Sequence, residues 1–316
     1  MLRRVFLLGC GAFVCASAAA APVAIPQIFM PGSLSGPASE DCLSLSPDGN
    51  TAVYDISSGK NVFIVTAHRV NGTWSTPEIA PFSGVWKDHD PALSPDGTFL
   101  VFASNRPTTM GNPSQGNWGT LWKVERMPDG KWGTPNLLPP TVNFSTRTYA
   151  PSISADGSLY FIAPNPAGIM HIFRSQYRGG TYEKAVEQEV GNPRAHEKDP
   201  GIAPDESFVV FDSNDPGKKG DPDRLFISFR EGDHWGKAMD LGDEVNAGNN
   251  PWGSHIGTDG TTLYYTSDRT EAVSYPRAPT QAEADLGRLL AWDDGESNIW
   301  ELSLVPWIQE HGDRKP

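Results

Sequence analysis

Cysteine is scarce in this sequence, and its placement excludes a fold held by disulfides. The chain has 316 residues and three cysteines: Cys10, Cys15 and Cys42. The first two lie in an amino-terminal segment that we expect to be removed, which leaves Cys42 alone. A single cysteine cannot form an intramolecular disulfide, so packing and hydrogen bonds must hold the fold.

Positive charge and long apolar runs are also in short supply. There are 25 Lys and Arg against 38 Asp and Glu, a formal net charge of -13. Such a surface repels phosphates and anionic lipid, which argues against nucleic acid and membrane surfaces as partners. No segment after the amino terminus is apolar enough to span a bilayer. The Gly-x-Ser-x-Gly, His-Glu-x-x-His, phosphate-loop and dinucleotide-binding motifs are absent too.

Residues 1–21 predict a cleavable signal peptide. Two arginines precede an apolar run over residues 5–14, and small residues follow up to Pro22. Cleavage near Ala21 removes two positive charges and no acid, so the formal charge changes from -13 to -15. The expected product is one periplasmic or secreted domain over residues 22–316. A lipoprotein box ending at Cys10 is the alternative, but few apolar residues precede it.

One sequence pattern recurs five times and predicts the fold. Each copy ends in an aspartate and a turn residue, and the aspartates are 48, 60, 49 and 54 residues apart. The copies end at Asp48-Gly49, Asp96-Gly97, Asp156-Gly157, Asp205-Glu206 and Asp259-Gly260. A strand-like run follows every turn, then a third strand, and in the first four copies a Gly-turn with an aromatic residue and a fourth strand. Five units of four strands predict an all-β, five-bladed β-propeller with antiparallel blades.

The fifth unit has no fourth strand of its own. At the other end of the chain, Pro26-Gln-Ile28 is spaced from Asp48 much as the fourth strands Pro77-Glu-Ile79 and Pro135-Asn-Leu137 are spaced from their aspartates. We therefore expect residues 24–30 to supply the outer strand of the last blade. Closing the ring this way removes exposed sheet edges.

The repeat resembles the WD40-like repeat of TolB and its relatives. The resemblance rests on Pro-x-(Leu/Ile)-Ser-Pro-Asp-Gly with an acid three residues before the first Pro, as in Asp88 and Glu197. It implies a periplasmic propeller that docks partner proteins or ligands. A six-bladed ring and an extra amino-terminal domain, typical of the best-known member, are not found. Asp129-Gly130-Lys131-Trp132 resembles the Asp-box of sialidase-type propellers, a competing but less faithfully repeated pattern.

Loop lengths vary mainly on one face, the one where the first strands begin, and we expect function there. The longest insertion, residues 267–297, carries a capping box at Thr280-Gln-Ala-Glu283 and predicts a short helix over residues 284–291. This helix is interpreted as a lid or as a packing patch. Four tryptophans outside the repeat lie on this face: Trp86, Trp118, Trp252 and Trp292. An aromatic patch there suits a sugar, a peptide or an apolar partner.

Alignment of the five aspartates marks candidate ligand-binding residues around the central funnel. Six residues before them lie Cys42, Asp90, Ala150, Asp199 and Gly253; eight before lie Glu40, Asp88, Thr148, Glu197 and Pro251. The candidates are His89, Asp90, His196, Glu197, Asp199 and His255, joined by Arg106 and Arg269 as anion clamps. His and carboxylates from separate blades can hold a divalent metal or act as acid and base. Hydrogen-bonded lining residues and Arg–carboxylate pairs are the favoured interpretation, so no cofactor is assigned.

Two functions remain open from the sequence. The first is a propeller that binds a partner protein or small ligand, including a carbohydrate, on the loop face of its funnel. The second is a hydrolase or lyase for a carbohydrate or lactone that uses funnel histidines and carboxylates. The first is preferred, because no carboxylate pair can be singled out as catalytic.

Overall fold

The computed structural model describes residues 24–108, 119–214, 222–248 and 250–314. Within these ranges the chain forms a five-bladed β-propeller of four-stranded antiparallel blades, as the repeat predicts. The predicted signal peptide, the lipoprotein-box cysteine and Trp118 lie outside the described residues. No helix in the described part of the chain has the length and apolar character needed to cross a membrane.

Each blade runs from an innermost strand outward. The first strands are β2 (Ser39–Leu45), β7 (Asp88–Leu93), β11 (Tyr149–Ile153), β17 (Glu197–Ile202) and β22 (Trp252–Ile256). The second strands are β3 (Thr51–Ser58), β8 (Phe99–Ser104), β12 (Leu159–Pro164), β18 (Phe208–Ser213) and β23 (Thr262–Ser267). The third strands are β4 (Asn61–Val70), β9 (Thr120–Glu125), β13 (Met170–Ser175), β19 (Arg224–Glu231) and β24 (Asn298–Ser303).

The outer strands are only two residues long. They are β6 (Glu78–Ile79), β10 (Asn136–Leu137), β16 (Val186–Glu187), β21 (Met239–Asp240) and, in the fifth blade, β1 (Gln27–Ile28). In the fifth blade Gln27 pairs with Glu301 and Ile28 with Trp300. Short hairpin extensions are formed by β5 (Thr73–Trp74), β14 (Tyr177–Arg178), β15 (Thr181–Tyr182) and β20 (His234–Trp235).

The repeated aspartate is a turn residue. Asp48 accepts the N–H of Asn50 at 3.0 Å and the hydroxyl of Ser46 at 2.5 Å. Gly49 follows with a φ of +67°, a conformation that costs glycine little. Equivalent backbone contacts recur at Asp96, Asp156, Asp205 and Asp259. The most regular motif of the sequence therefore builds the hairpin between first and second strands and lies away from the loop face.

The core consists of five apolar clusters, one between each pair of neighbouring blades. Alternate residues of a second strand enter different clusters: Tyr160 and Ile162 pack towards blade 4, whereas Leu159 and Phe161 pack towards blade 2. Because both faces of these strands are buried, they read as continuous apolar runs and not as alternating ones. The packing holds the five first strands side by side around the central axis.

Two helices lie outside the blades. Helix α1 (Pro279–Leu289) begins one residue before the predicted capping box, and Gln281, not Glu283, closes the box by accepting the N–H of Ala278 at 2.8 Å. The predicted cap is wrong because Pro279 fits the first helical position. None of the α1 residues is buried. Helix α2 (Val305–Arg314) was not predicted; its Trp307 is 1% exposed and joins the cluster between blades 4 and 5.

Candidate functional site

Every first strand carries a β-bulge at the residue six before the repeated aspartate. The pairing register shifts there in all five blades. The five bulge residues, Cys42, Asp90, Ala150, Asp199 and Gly253, have φ values between 44° and 64°. Such angles are uncommon for residues other than glycine, and four of these five residues are not glycine. In four of the five blades the bulge turns a side chain towards the axis, and in blade 5 the bulge residue is Gly253.

The bulges line a cavity on the axis, which we call the funnel. Its lining is formed by Cys42, Asp90, Pro91, Ala150, Pro151, Asp199, Pro200, Gly253, Ser254 and His255. The open space within it is about 20 Å³, little more than one water molecule occupies. A sugar ring does not fit at this depth. An ammonium group or the tip of a lysine side chain is of the right size.

Side chains of one blade hold the bulges of the next. The N–H of Asp90 donates to Asp55 Oδ2 at 3.2 Å, and Asp90 Oδ2 in turn accepts the N–H of Ala150 at 3.0 Å. Asp199 Oδ2 accepts the N–H of Gly253 at 3.3 Å. The N–H of Cys42 donates to Thr266 Oγ1 at 3.2 Å. Carboxylate and hydroxyl acceptors thus link neighbouring blades, and the same hydrogen bonds hold the carboxylates in place.

Five aspartates crowd the funnel and its wall: Asp41, Asp55, Asp90, Asp199 and Asp212. Burial raises the pKa of Asp199 to about 7, and the neighbouring Asp90 charge adds to this rise. Burial also raises the pKa of Asp41 to about 7; a hydrogen bond from Ser57 opposes it, and repulsion from Asp90 and Asp199 adds to it. Burial sets the pKa values of Asp55 and Asp212 well above the usual range.

Asp90 differs from these neighbours. Burial opposes its ionisation, but the His89 ring together with hydrogen bonds from Ala150 and Cys42 outweighs burial, and the pKa of Asp90 lies below its ordinary value. His89 Nδ1 is 3.1 Å from Asp90 Oδ2. Asp90 is therefore ionised at neutral pH, whereas Asp41 and Asp199 are partly protonated there and Asp55 and Asp212 keep their protons. A cation bound here would favour ionisation of every carboxyl group nearby, so this group of aspartates favours a positively charged ligand.

His255 lies at the bottom of the funnel. It lines both the funnel and a second cavity below, whose walls include Leu45, Leu93 and Ile202. Burial lowers the pKa of His255 to about 4, so the ring is neutral at pH 7. Its Nε2 is 3.2 Å from Ser44 Oγ. His255 closes the channel and carries no charge to offset the aspartates.

Five of the eight predicted funnel residues do not line the funnel: His89, whose ring pairs with Asp90, and four more. Arg106 pairs with Asp88 at 2.8 Å, and Arg269 donates to Glu244 at 3.0 Å, so each guanidinium binds a carboxylate outside the funnel lining. His196 is exposed, and its Nδ1 accepts the N–H of Met170 at 3.1 Å.

Glu197 is the last of these five residues. It is 1% exposed and accepts the N–H of Gly191 at 2.8 Å, which fixes the loop that leads into its strand. Glu40, in the same alignment column, accepts the N–H of Gly36 at 2.8 Å. The acid of this column thus serves the scaffold in both blades.

Sequence reasoning missed Asp41, Asp55 and Asp212. Asp55 and Asp212 share an alignment column seven residues after the repeated aspartate, where the other blades have Ala103, Ala163 and Thr266. The two carboxylates in this column are the sequence signal for this part of the funnel wall. Asp41 has no such signal, because the side chains of a first strand near a bulge do not follow simple alternation.

The described tryptophans of the predicted aromatic patch differ in burial and do not form one patch. Trp292 is 6% exposed and packs edge-on against Trp300 with ring centroids 6.0 Å apart, so it belongs to the core. Trp252 is half-buried in β22. Trp86 is 41% exposed on the loop face, where a ligand can reach it. Within the described ranges, no group of three or more His, Cys, Asp or Glu side chains is arranged to hold a metal ion.

Comparison with known proteins supports the fold alone. No family model matches the chain, and no curated protein matches it in sequence. Among solved structures, the catalytic domain of a GH62 α-L-arabinofuranosidase from Coprinopsis cinerea matches with a TM-score of 0.50 at 11% identity, over 89% of this chain and 96% of that one.

Two further structures are more distant. A gluconolactonase from Xanthomonas campestris has a TM-score of 0.47 at 12% identity, over 80% of this chain and 84% of that one. TolB from Acinetobacter baumannii has a TM-score of 0.38 at 16% identity, over 65% of this chain and 41% of that one. All three are too distant in sequence to assign an activity to this chain.

Proposed function

We propose that this protein is an exported, TolB-like binding propeller whose funnel takes up the cationic group of a small ligand or of a partner protein's side chain. The observation that carries the proposal is the placement of Asp90 and Asp199. They come from blades 2 and 4, line one narrow cavity and repel each other. A positive group between them removes the repulsion and meets oxygen acceptors that are already held in place.

Size and charge both favour this class of ligand. The funnel is too narrow for a ring at its depth, and its walls carry far more carboxylate than cation. Lys198 contributes an ammonium beside Asp212, at 3.9 Å, but its closer partner is Asp223. An anionic ligand would add to the repulsion.

The test is binding of small amines and guanidines, with cadaverine and agmatine as probes, by isothermal titration calorimetry at pH 8. The funnel variant is Asp41→Asn with Asp199→Asn, which keeps the size and one acceptor oxygen of each side chain. The control is Asp233→Asn with Asp243→Asn, because these side chains are 103% and 98% exposed and the net charge changes equally. The proposal requires that the funnel pair weaken binding at least tenfold while the control stays within twofold.

A hydrolase acting on a carbohydrate or lactone is the second candidate. It is favoured by the contrast between Asp199, whose pKa burial raises to about 7, and Asp90, which His89 keeps ionised in spite of burial. Two carboxyl groups with pKa values pushed apart are the usual basis for an acid and base pair. Hydrolysis of chromogenic glycosides or lactones that Asp199→Asn abolishes would favour this candidate over simple binding.

The architecture and location belong to the same proposal. We propose that residues 22–316 form one exported domain after removal of the signal peptide, and that β1 closes the ring. The pairing of Ile28 with Trp300 supports the closure. The predicted periplasmic or secreted location rests on the amino-terminal sequence and on the TolB-like repeat.

A further inference from the structure

A second concave site lies away from the axis, between the outer parts of blades 3 and 4. We call it the side groove. Its volume is about 980 Å³, within the range that holds an organic ligand of several rings. Blade 3 contributes His171, Glu187 and Gln188, and blade 4 contributes Phe226 and Lys237. The funnel lining shares none of these residues.

The floor of the groove is aromatic. Phe226 is half-buried and stacks on Phe211, with ring centroids 5.9 Å apart and an angle of 27° between the planes. Trp235 closes one end and donates its Nε1–H to Gln188 Oε1 at 3.2 Å. Gly191 packs closely here, because a side chain at this position would meet Glu197 Oε1 at 2.9 Å and the Phe211 ring at 3.1 Å.

The wall carries a buried histidine between two carboxylates. His171 is 3% exposed, and its Nδ1 is 3.4 Å from Glu187 Oε1 and 3.5 Å from Glu197 Oε2. The hydrogen bond to Glu197 raises the pKa of His171 above its ordinary value, although burial opposes the rise. The other ring nitrogen, Nε2, is buried and has no hydrogen-bond partner among the described residues.

The charges of the groove nearly cancel, in contrast to the whole chain. Its lining holds three groups that carry positive charge, His171 when protonated, Arg224 and Lys237. It also holds three carboxylates, those of Glu187, Glu189 and Glu197. With His171 protonated the two sets balance, and with a neutral ring the lining carries one net negative charge, in a protein whose net charge is -13. This near balance favours an uncharged ligand.

We infer that the side groove binds a neutral oligosaccharide of two or more units. Sugar rings present apolar C–H faces, which pack on Phe226, and hydroxyl groups, which both donate and accept. Donation suits Glu187, and acceptance suits the amide groups of Gln188, Asn192 and Asn214.

The experiment is isothermal titration calorimetry of the full mature chain with neutral gluco-, manno-, galacto-, xylo- and arabino-oligosaccharides of two to six units. The groove variant is Phe226→Leu, which keeps apolar volume and removes the ring. Phe63→Leu is the control, because Phe63 is likewise a half-buried phenylalanine of a third strand, in blade 1, and does not line the groove. Glu187→Gln is a second groove variant of unchanged shape, and melting temperatures check that all three fold.

The inference predicts binding of at least one oligosaccharide, a loss of tenfold or more in both groove variants and a change below twofold in Phe63→Leu. No binding by any neutral oligosaccharide, or equal binding by wild type and both groove variants, overturns it. The Asp41→Asn, Asp199→Asn pair should bind the sugar as the wild type does. Amine binding should survive Phe226→Leu, so failure of this site and failure of the funnel proposal give different results.

Discussion

His255 Nε2 lies 3.2 Å from Ser44 Oγ, and the same hydroxyl accepts the N–H of Leu93 at 2.9 Å. One serine thus connects the innermost strands of blades 5, 1 and 2. Blades 3 and 4 are joined in a related way, since Ser152 Oγ accepts the N–H of Ile202 at 3.0 Å. The His255–Ser44 contact makes the corresponding link between blade 5 and blade 1, the last and first blades of the ring.

Replacing His255 with serine, the residue of the equivalent position in blades 1 and 3, should cost about 1 kcal/mol of unfolding free energy at pH 7, the value of one hydrogen bond. The variant should also lose less stability in acid. Because the pKa of His255 is lowered by burial to about 4, the unfolded chain takes up a proton first, and stability is lost as pH falls from about 6.5 to 4. Urea unfolding at pH 7 and pH 4.5 measures both effects. A loss above about 3 kcal/mol at pH 7 would show that the ring has a larger packing role.

Mild acid should stabilise the protein through its funnel aspartates. Burial raises the pKa of both Asp41 and Asp199 to about 7, above the unfolded value of about 4. Between these values the folded state holds protons that the unfolded state has lost, so stability falls as pH rises from about 4 to 7, by at most ~1.4 kcal/mol per group and pH unit. Glu40, whose pKa burial raises to about 8, acts in the same direction.

Thermal unfolding from pH 5.5 to 8 measures this trend. His255 opposes it below about pH 6.5, so the share of the two aspartates should be clearest between pH 6.5 and 7, and Glu40 should extend the decline to about pH 8. The Asp41→Asn, Asp199→Asn pair should flatten the curve, and the exposed pair Asp233→Asn, Asp243→Asn should leave it unchanged. A wild-type melting temperature that rises steadily to pH 8 would contradict the pKa assignment.

The fold was predictable because its signal is periodic and local. Asp48 and its four counterparts need the same turn in every blade, so five copies of one pattern define five hairpins. Asp90 and Asp199 were found because the alignment brings bulge residues into one column. The position of His255 also followed from the alignment, although its bond to Ser44 did not.

Other features depend on contacts between distant segments. Arg106 was read as a funnel residue, yet it binds Asp88, because strand alignment places a residue along a blade without giving the direction of a long side chain. Helix α2 occurs only once in the described residues, so the repeat pattern cannot predict it. His171 is the polar exception at a third-strand position where the other blades have aliphatic residues. Its two carboxylate partners come from different blades, so the sequence does not show that they meet.

Removing residues 24–30 should open the fifth blade. Ile28 pairs with Trp300, and Phe29 is 5% exposed in the cluster between blades 5 and 1. Loss of these contacts should lower the unfolding free energy by several kcal/mol, at about 2 kcal/mol for each large apolar side chain plus the lost backbone pairs. A chain that begins at Ala24 is the matched control for one that begins at Pro31. An unchanged melting temperature in the shorter chain would show that β1 does not close the ring.

Export should leave a mature protein that begins near Pro22. The basis is the sequence of residues 1–21 alone, which lie outside the described residues. N-terminal sequencing of the protein from the native host, with fractionation of periplasm and medium, provides the measurement. Retention of Met1, or a lipid attached to Cys10, would overturn the prediction.

Proton release on amine binding tests the funnel proposal most directly. Asp41 and Asp199 have pKa values raised by burial to about 7, so each is partly protonated at that pH. A cation seated between Asp90 and Asp199 should lower both values and expel about one proton per ligand. Calorimetry of agmatine binding at pH 7, in two buffers of different ionisation enthalpy, counts these protons. The account predicts release near one in the wild type and in the exposed-site control, and weak binding without release in the Asp41→Asn, Asp199→Asn pair. Binding of equal strength in all three proteins, with no proton exchanged, would contradict it.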